Sequence, residues 1–236
     1  MHYNRLPPGM SVVNSPEFFF NNPYEEPSSV EGDLYGEAKA VRFSNYAGRD
    51  PFVWFGNFFP DLAAWDRLAL HQDRGAGGHH INIRFPNTEM RGHMSVFEPK
   101  LYKKAHRHGP GTAIVIPAGE GYSILWPEGQ EKIIVPWHEG SMFVPPNRWF
   151  HQHFNLGTNA ARYLALNPIM QVRPEFSETV EDRARDQIEY PDEEPWIRKM
   201  FEDELGKRGT SSVMPEEAYR DRDYKWSPQG VYSAPV

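Results

Sequence analysis

His106 and His108 stand two residues apart in a stretch that runs from Tyr102 to Asn155 and closes on a second pair, His151 and His153. Strand side chains alternate between faces, so imidazoles at i and i+2 on one strand point the same way. A third imidazole from a distant strand then completes a metal site. Neutral imidazole is the commonest side-chain ligand of first-row metals, and a site with three protein ligands leaves positions open for water, oxygen or substrate. A His-x-His pair alone is a weak signal, because surface strands carry it by chance; its surroundings decide.

Those surroundings read as strands. β-Branched and aromatic runs at 113–116, 122–126, 132–135 and 142–144 lie between the two histidine pairs, broken by Gly, Pro and acidic turns. Such spacing predicts antiparallel strands closing a small barrel or sandwich. Further strands are expected at 79–85, 92–98 and 161–167. Residues 60–70 read as a short leading helix, 177–188 as a charged helix, and 195–205 as a better one, with Ile197, Met200, Phe201 and Leu205 on one stripe. The expected organisation is an extended N-terminal arm over 1–50, a barrel over 51–172, and C-terminal helices and a tail over 173–236 that pack on the barrel.

Composition narrows the class. With 236 residues and 39% hydrophobic content, one domain can bury a real core, and the net charge of −7 argues against a nucleic-acid partner, since no basic stripe is available for phosphates. The absence of cysteine removes disulfides, thiolate ligands and a cysteine nucleophile. No basic-then-apolar leader opens the sequence and no run reaches the roughly 18 apolar residues of a membrane span. A soluble, cytoplasmic protein with no membrane partner is expected.

The chain resembles the cupin superfamily. Its first motif, a His-x-His, a Glu four residues later and a Gly seven after that, falls on His106, His108, Thr112 and Gly119. The second falls on Gly140, Pro146, His151 and Asn155, with Arg148 where a turn glycine is usual. The flanks are similar to bacterial cupins labelled gentisate-dioxygenase-like or ethanolamine ammonia-lyase activating. The resemblance, covering about 94–167, implies a mainly β double-stranded β-helix barrel, jelly-roll-like, with the N-terminal arm and C-terminal helices added outside.

It also implies a metal set of His106, His108 and His151, with Thr112 standing where the carboxylate ligand belongs. Losing that carboxylate leaves a divalent ion its full charge, which favours an anionic or chelating substrate. Two other readings stay open: a carboxylate from elsewhere, Glu98, Glu120 or Glu139, or a barrel without metal. His153 shares the facing of His151 and is a fourth ligand, a proton-handling base or a packed histidine. Tyr102, on the parity of His106, is a proton donor to bound oxyanion or a rim tyrosine. Trp149, Tyr122 and Trp126 are candidate pocket walls. Arg84 and Arg162 are candidate carboxylate clamps if they point inward.

Three-histidine cupins similar to cysteine, diketone and gentisate dioxygenases imply a mononuclear Fe(II) centre, with Zn, Ni or Mn as substitutes, and dioxygen as co-substrate. The expected activity is a dioxygenase acting on a small aromatic or carbonyl-bearing compound, in a homodimer. The alternatives are a non-oxidative lyase, isomerase or hydrolase, and a non-catalytic binding or activating module.

Overall fold

The computed structural model describes residues 39–42, 52–55, 59, 61–63, 69–70, 74–85, 90–108, 112–168 and 185–227. Most of the expected arm, residues 64–68 of the leading helix and residues 177–184 of the charged helix lie outside these.

Thirteen strands are described: β1 (Lys39–Arg42), β2 (Phe52–Phe55), β3 (Ala69–Leu70), β4 (His79–Arg84), β5 (Met90–Phe97), β6 (Ala105–His106), β7 (Ala113–Ala118), β8 (Glu120–Trp126), β9 (Ile133–His138), β10 (Met142–Phe143), β11 (Phe150–Asn155), β12 (Ala161–Pro168) and β13 (Gln187–Ile188). One sheet contains the order β5-β12-β7-β10, extended beyond β5 by β4, β2 and β1. The other contains β6-β11-β8-β9, with β13 beyond β6. From β5 to β12 the chain passes between the sheets at every step except the β8–β9 hairpin, which stays in the second sheet, the double-sheet jelly roll that the motifs imply. Two local expectations fail. Ala69–Leu70 is strand β3 against β4, and Gln187–Ile188 is strand β13 against β6; in each case an open sheet edge captured a segment whose own pattern looked helical.

The middle of the second sheet is buried on both faces, with every residue of β11 buried, whereas its edge strand β9 is largely exposed. Its inner face meets the first sheet: the His153 ring lies 4.6 Å from that of Tyr163 on β12, and Tyr163 packs on Phe97 of β5. On its outer face lies the helix α1 (Pro195–Lys207), which buries Ile197, Phe201 and Leu205. Phe201 reaches 5.7 Å from Phe154 and 5.0 Å from Tyr102. Proline at the first turn starts α1, and its apolar stripe is what packs. The first sheet carries its own outer layer, in which Ile81, Ile83, Met94, Val96 and Leu164 pack with Trp54, Phe59, Leu62 and Phe85.

Candidate metal centre

The β6·β11 pairing sets His106 opposite His151, and their ring centroids are 4.3 Å apart. His108 lies 4.7 Å from His151 and 5.7 Å from His106. The nitrogens that these three offer lie within 4.8 Å of one another, the one such grouping of His, Cys, Asp or Glu among the described residues. Two imidazole–metal bonds span at most about 4.2 Å, so a contraction of under about 1 Å brings the rings onto a single ion.

Backbone carbonyls set the tautomers. His106 Nδ1 lies 3.2 Å from the Lys104 carbonyl and His151 Nδ1 lies 3.1 Å from the Trp149 carbonyl. A carbonyl only accepts, so Nδ1 carries the proton in both rings and Nε2 keeps its lone pair. Burial first, then Arg74 and the neighbouring imidazoles, hold both rings well below the usual imidazole range. They are therefore neutral at pH 7, the form that coordinates a metal.

The strands that carry the triad are clamped from outside. Arg107, between His106 and His108, donates from Nε to Asp186 Oδ1 at 2.9 Å, donates its backbone amide to the Asp186 carbonyl at 2.9 Å, and lies over the Phe150 ring. Arg148 donates to the same Asp186 oxygen at 2.9 Å, and its amide reaches the His108 carbonyl at 3.2 Å. Although burial opposes it, hydrogen bonds from Arg185 and Arg107 hold the Asp186 carboxyl down to about 2. Arg148 has a φ of 62°, so the position where cupins favour glycine keeps the left-handed backbone although the residue has changed. Gly119 of the first motif has a φ of 100°, and a Cβ there would meet the Ala161 Cα at 2.7 Å.

Thr112 is buried and donates to Asn167 Oδ1 at 2.5 Å. The grouping contains no carboxylate: Glu120 and Glu139 are exposed and Glu98 is half-buried outside it. His153 stays outside the grouping too, 5.5 Å from His151 and 6.4 Å from His106 between ring centroids. Its Nδ1 meets Ser123 Oγ at 2.7 Å, and Ser123 accepts the Trp137 indole N–H at 3.1 Å. A hydroxyl donates or accepts, so His153, unlike His106 and His151, is free to exchange tautomers.

Several candidate residues lie elsewhere. Tyr102 donates its hydroxyl to Glu193, stacks on Phe154 and is fully buried in the layer under α1. Strand β6 begins only at Ala105, so no continuous alternation links Tyr102 to His106; burial and Glu193 push its phenol far above the usual range, away from any proton-handling role. Tyr122 and Trp126 pair with Phe154 and Phe150 across β8·β11 and stack on them on the outer face. The residues of β8 that share the face of His153 and His151 are Ser123 and Leu125. Trp149 precedes β11 and turns outward, lining an open groove with Trp126, Lys132, Glu194 and Trp196, while only its carbonyl serves the triad. Arg162 pairs with Val96 on the face of β12 that carries Leu164, opposite Tyr163. Arg84 ends β4, and its side chain lies outside the described residues.

Sequence reasoning missed Ser123, Lys103 and the Asp186 clamp. Ser123 was legible as the odd-numbered neighbour of two aromatics; Asp186 lies 79 positions from Arg107 and left no local signal.

No family model matches the chain, and no curated protein matches it. Solved structures similar to it include a mutant of the oxalate decarboxylase of Bacillus subtilis, 12% identical over 48% of this chain and 31% of that one, with a TM-score of 0.38. The cupin domain of Cnp3 from Schizosaccharomyces pombe is 9% identical over 57% of this chain and 85% of that one, at 0.40. A salicylate 1,2-dioxygenase from Pseudaminobacter salicylatoxidans is 14% identical over 40% and 27%, at 0.33. This chain spans about a third of the oxalate decarboxylase. Among the described residues no helix is long and apolar enough to cross a membrane. On its own strand order the chain is a mainly β, cupin-like sandwich with a histidine triad between its sheets.

Proposed function

We propose that this chain holds one divalent transition metal, Fe(II), on His106, His108 and His151 and acts as a dioxygenase on a small aromatic or carbonyl-bearing compound. The observation that carries the reading is the pair of carbonyl-locked imidazoles, which present Nε2 toward one another with His108 beside them. The donor chemistry fits: three neutral nitrogens suit a first-row divalent ion and leave it a positive charge for an anionic or chelating substrate. When bound, Fe(II) supplies Lewis acidity and the capacity to activate dioxygen beside the substrate.

The chain's own residues do the rest. The Asp186 clamp keeps β6 and the turn before β11 in register, so the triad is organised before any ion arrives. His153, with Nδ1 held by Ser123, accepts a substrate proton at Nε2 and returns it from the same nitrogen. Tyr163 and Phe143 flank His153, and Trp137, packed on Tyr163 and bonded to Ser123, backs them, so that apolar rings exclude water from that path. A homodimer is proposed with this reading, supported by exposed Ile133 and Ile134 on edge strand β9 and Met142 on edge strand β10; light scattering checks it.

The test is elemental analysis of protein purified without added metal, followed by oxygen-electrode assays against catechols, hydroxybenzoates and β-diketones. About one equivalent of iron and substrate-dependent oxygen uptake are expected. Turnover that proceeds equally without oxygen would establish Zn-type Lewis-acid chemistry on the same nitrogens, and retention below about a tenth of an equivalent would point to a binding or activating module.

A further inference from the structure

Lys103 is only 4% exposed, yet among the described residues no carboxylate partners its amine. Nζ donates to Ser95 Oγ and lies 5.2 Å from the centroid of the Phe97 ring. The charged and titratable groups whose fields it shares are Arg74, His79 and His153, all basic. The next residue shows the ordinary solution: Lys104 pairs with Glu189 at 2.5 Å. A buried ammonium left with a hydroxyl, a ring face and other bases is costly, and structures keep such a group only where something else repays it.

We propose that the Lys103 amine anchors the carboxylate of a small-molecule ligand inside the barrel, so that the substrate of the proposed metal centre is an aromatic carboxylate. Position supports this. Ser95 pairs with Tyr163 across β5·β12, Tyr163 packs against His153, and His153 neighbours His151. The backbone amide of Lys103 donates to the His153 carbonyl at 3.0 Å, which ties the lysine to the strand that carries the triad. Phe97, Tyr163 and Trp137 pack edge to face along this path, flat apolar walls suited to a ring. Burial, and after it Arg74, bring the Lys103 amine down to about 7; an incoming carboxylate supplies the missing counter-charge and favours its ammonium form. A carboxylate held at one end by Lys103 leaves the other end of the ligand to the ion, and this second anchor is the part that rests on the metal reading.

The experiment is calorimetric titration of the full chain with benzoate and with its neutral isostere benzamide, for wild type, Lys103→Met and Lys103→Gln, with and without metal. Glutamine keeps a donor for Ser95 and removes only the charge. Benzoate is expected to bind the wild type at millimolar concentration or below and benzamide at least about tenfold more weakly. Both variants should lose benzoate affinity by about tenfold or more, keep the wild-type metal content, and melt no lower than the wild type, because they remove an unpaired buried charge. Benzoate binding equal to wild type in either variant, equal binding of benzamide, or no benzoate binding by the wild type overturns the proposal. So does a lower melting temperature in both variants, which marks the lysine as structural. Lysine-dependent benzoate binding by a protein that retains no metal would sink the metal reading and leave this one standing.

Discussion

His106 and His151 face each other on one rung of the β6·β11 ladder, and each ring donates Nδ1–H to the carbonyl two residues before it. The same local device, used on two antiparallel strands, aims two Nε2 lone pairs at a common point. His153, two residues on from His151, has a hydroxyl partner in place of a carbonyl and stays outside the grouping.

That difference separates the histidines by experiment. His106→Ala and His151→Ala should each reduce retained metal to background, measured by elemental analysis after gel filtration, whereas His153→Ala should keep it and lose turnover by about 100-fold. Metal loss in His153→Ala alone would show that the ligand set is misassigned.

Arg148 keeps a left-handed backbone, and this predicts an inverted order of substitutions. Arg148→Gly and Arg148→Val both lose the contact with Asp186, but only glycine accepts a φ of 62° without a Cβ clash. Urea unfolding should find the valine variant about 1–2 kcal/mol less stable than the glycine variant. Equal stability would mean that the turn relaxes at no cost.

Glu193 links pH to the outer layer. Burial outweighs its hydrogen bonds from Tyr102 and Gln152 and raises its carboxyl to about 7. In the unfolded chain it ionises near the usual glutamate value of about 4.3. Between those two values the unfolded state has released its proton while the folded state retains it, so stability falls as pH rises and levels off above about pH 7. A loss on the order of 1–3 kcal/mol from pH 4.5 to 7.5 is expected from this group. Glu193→Gln should remove that slope in chemical denaturation; an unchanged slope assigns it to other groups.

Among the described residues, Asp186 reaches the histidine triad through Arg107 and Arg148. Asp186→Asn keeps the shape and removes the charge, and should weaken Zn or Co(II) affinity by about tenfold without changing the far-ultraviolet spectrum. Wild-type affinity in that variant would restrict the clamp to anchoring 185–188.

Much of the site is local and therefore legible. His151 and His153 share a face of β11 as strand alternation requires, while β6 ends at His106 and His108 joins the triad from the segment beyond it; the two motifs stand in cupin order, and the stripe of α1 packs as its period requires. Facing is another matter. Tyr122 and Trp126 look like pocket walls because aromatic residues usually turn toward a core, yet this sheet has a core on both sides, and they turn to the one beneath α1 and the C-terminal segment. Alternation tells which residues of β8 share a face, but not which face looks inward; register against β11 decides that, and it gives the interior to Ser123. The Asp186 clamp joins residues 79 positions apart, and the burial of the Lys103 amine against Ser95 follows from how β5 packs, neither of which local spacing reveals. Sequence by itself determined that the middle of the chain is strand-rich and that it carries two histidine pairs, because strand period and turn signals are short-range, and likeness to the cupin motifs supplied the choice of His106, His108 and His151 and the jelly-roll order. Only the tertiary structure decided which aromatics line the interior and which buried basic group has no carboxylate partner among the described residues, because burial on both faces removes the polar–apolar contrast from which facing is read.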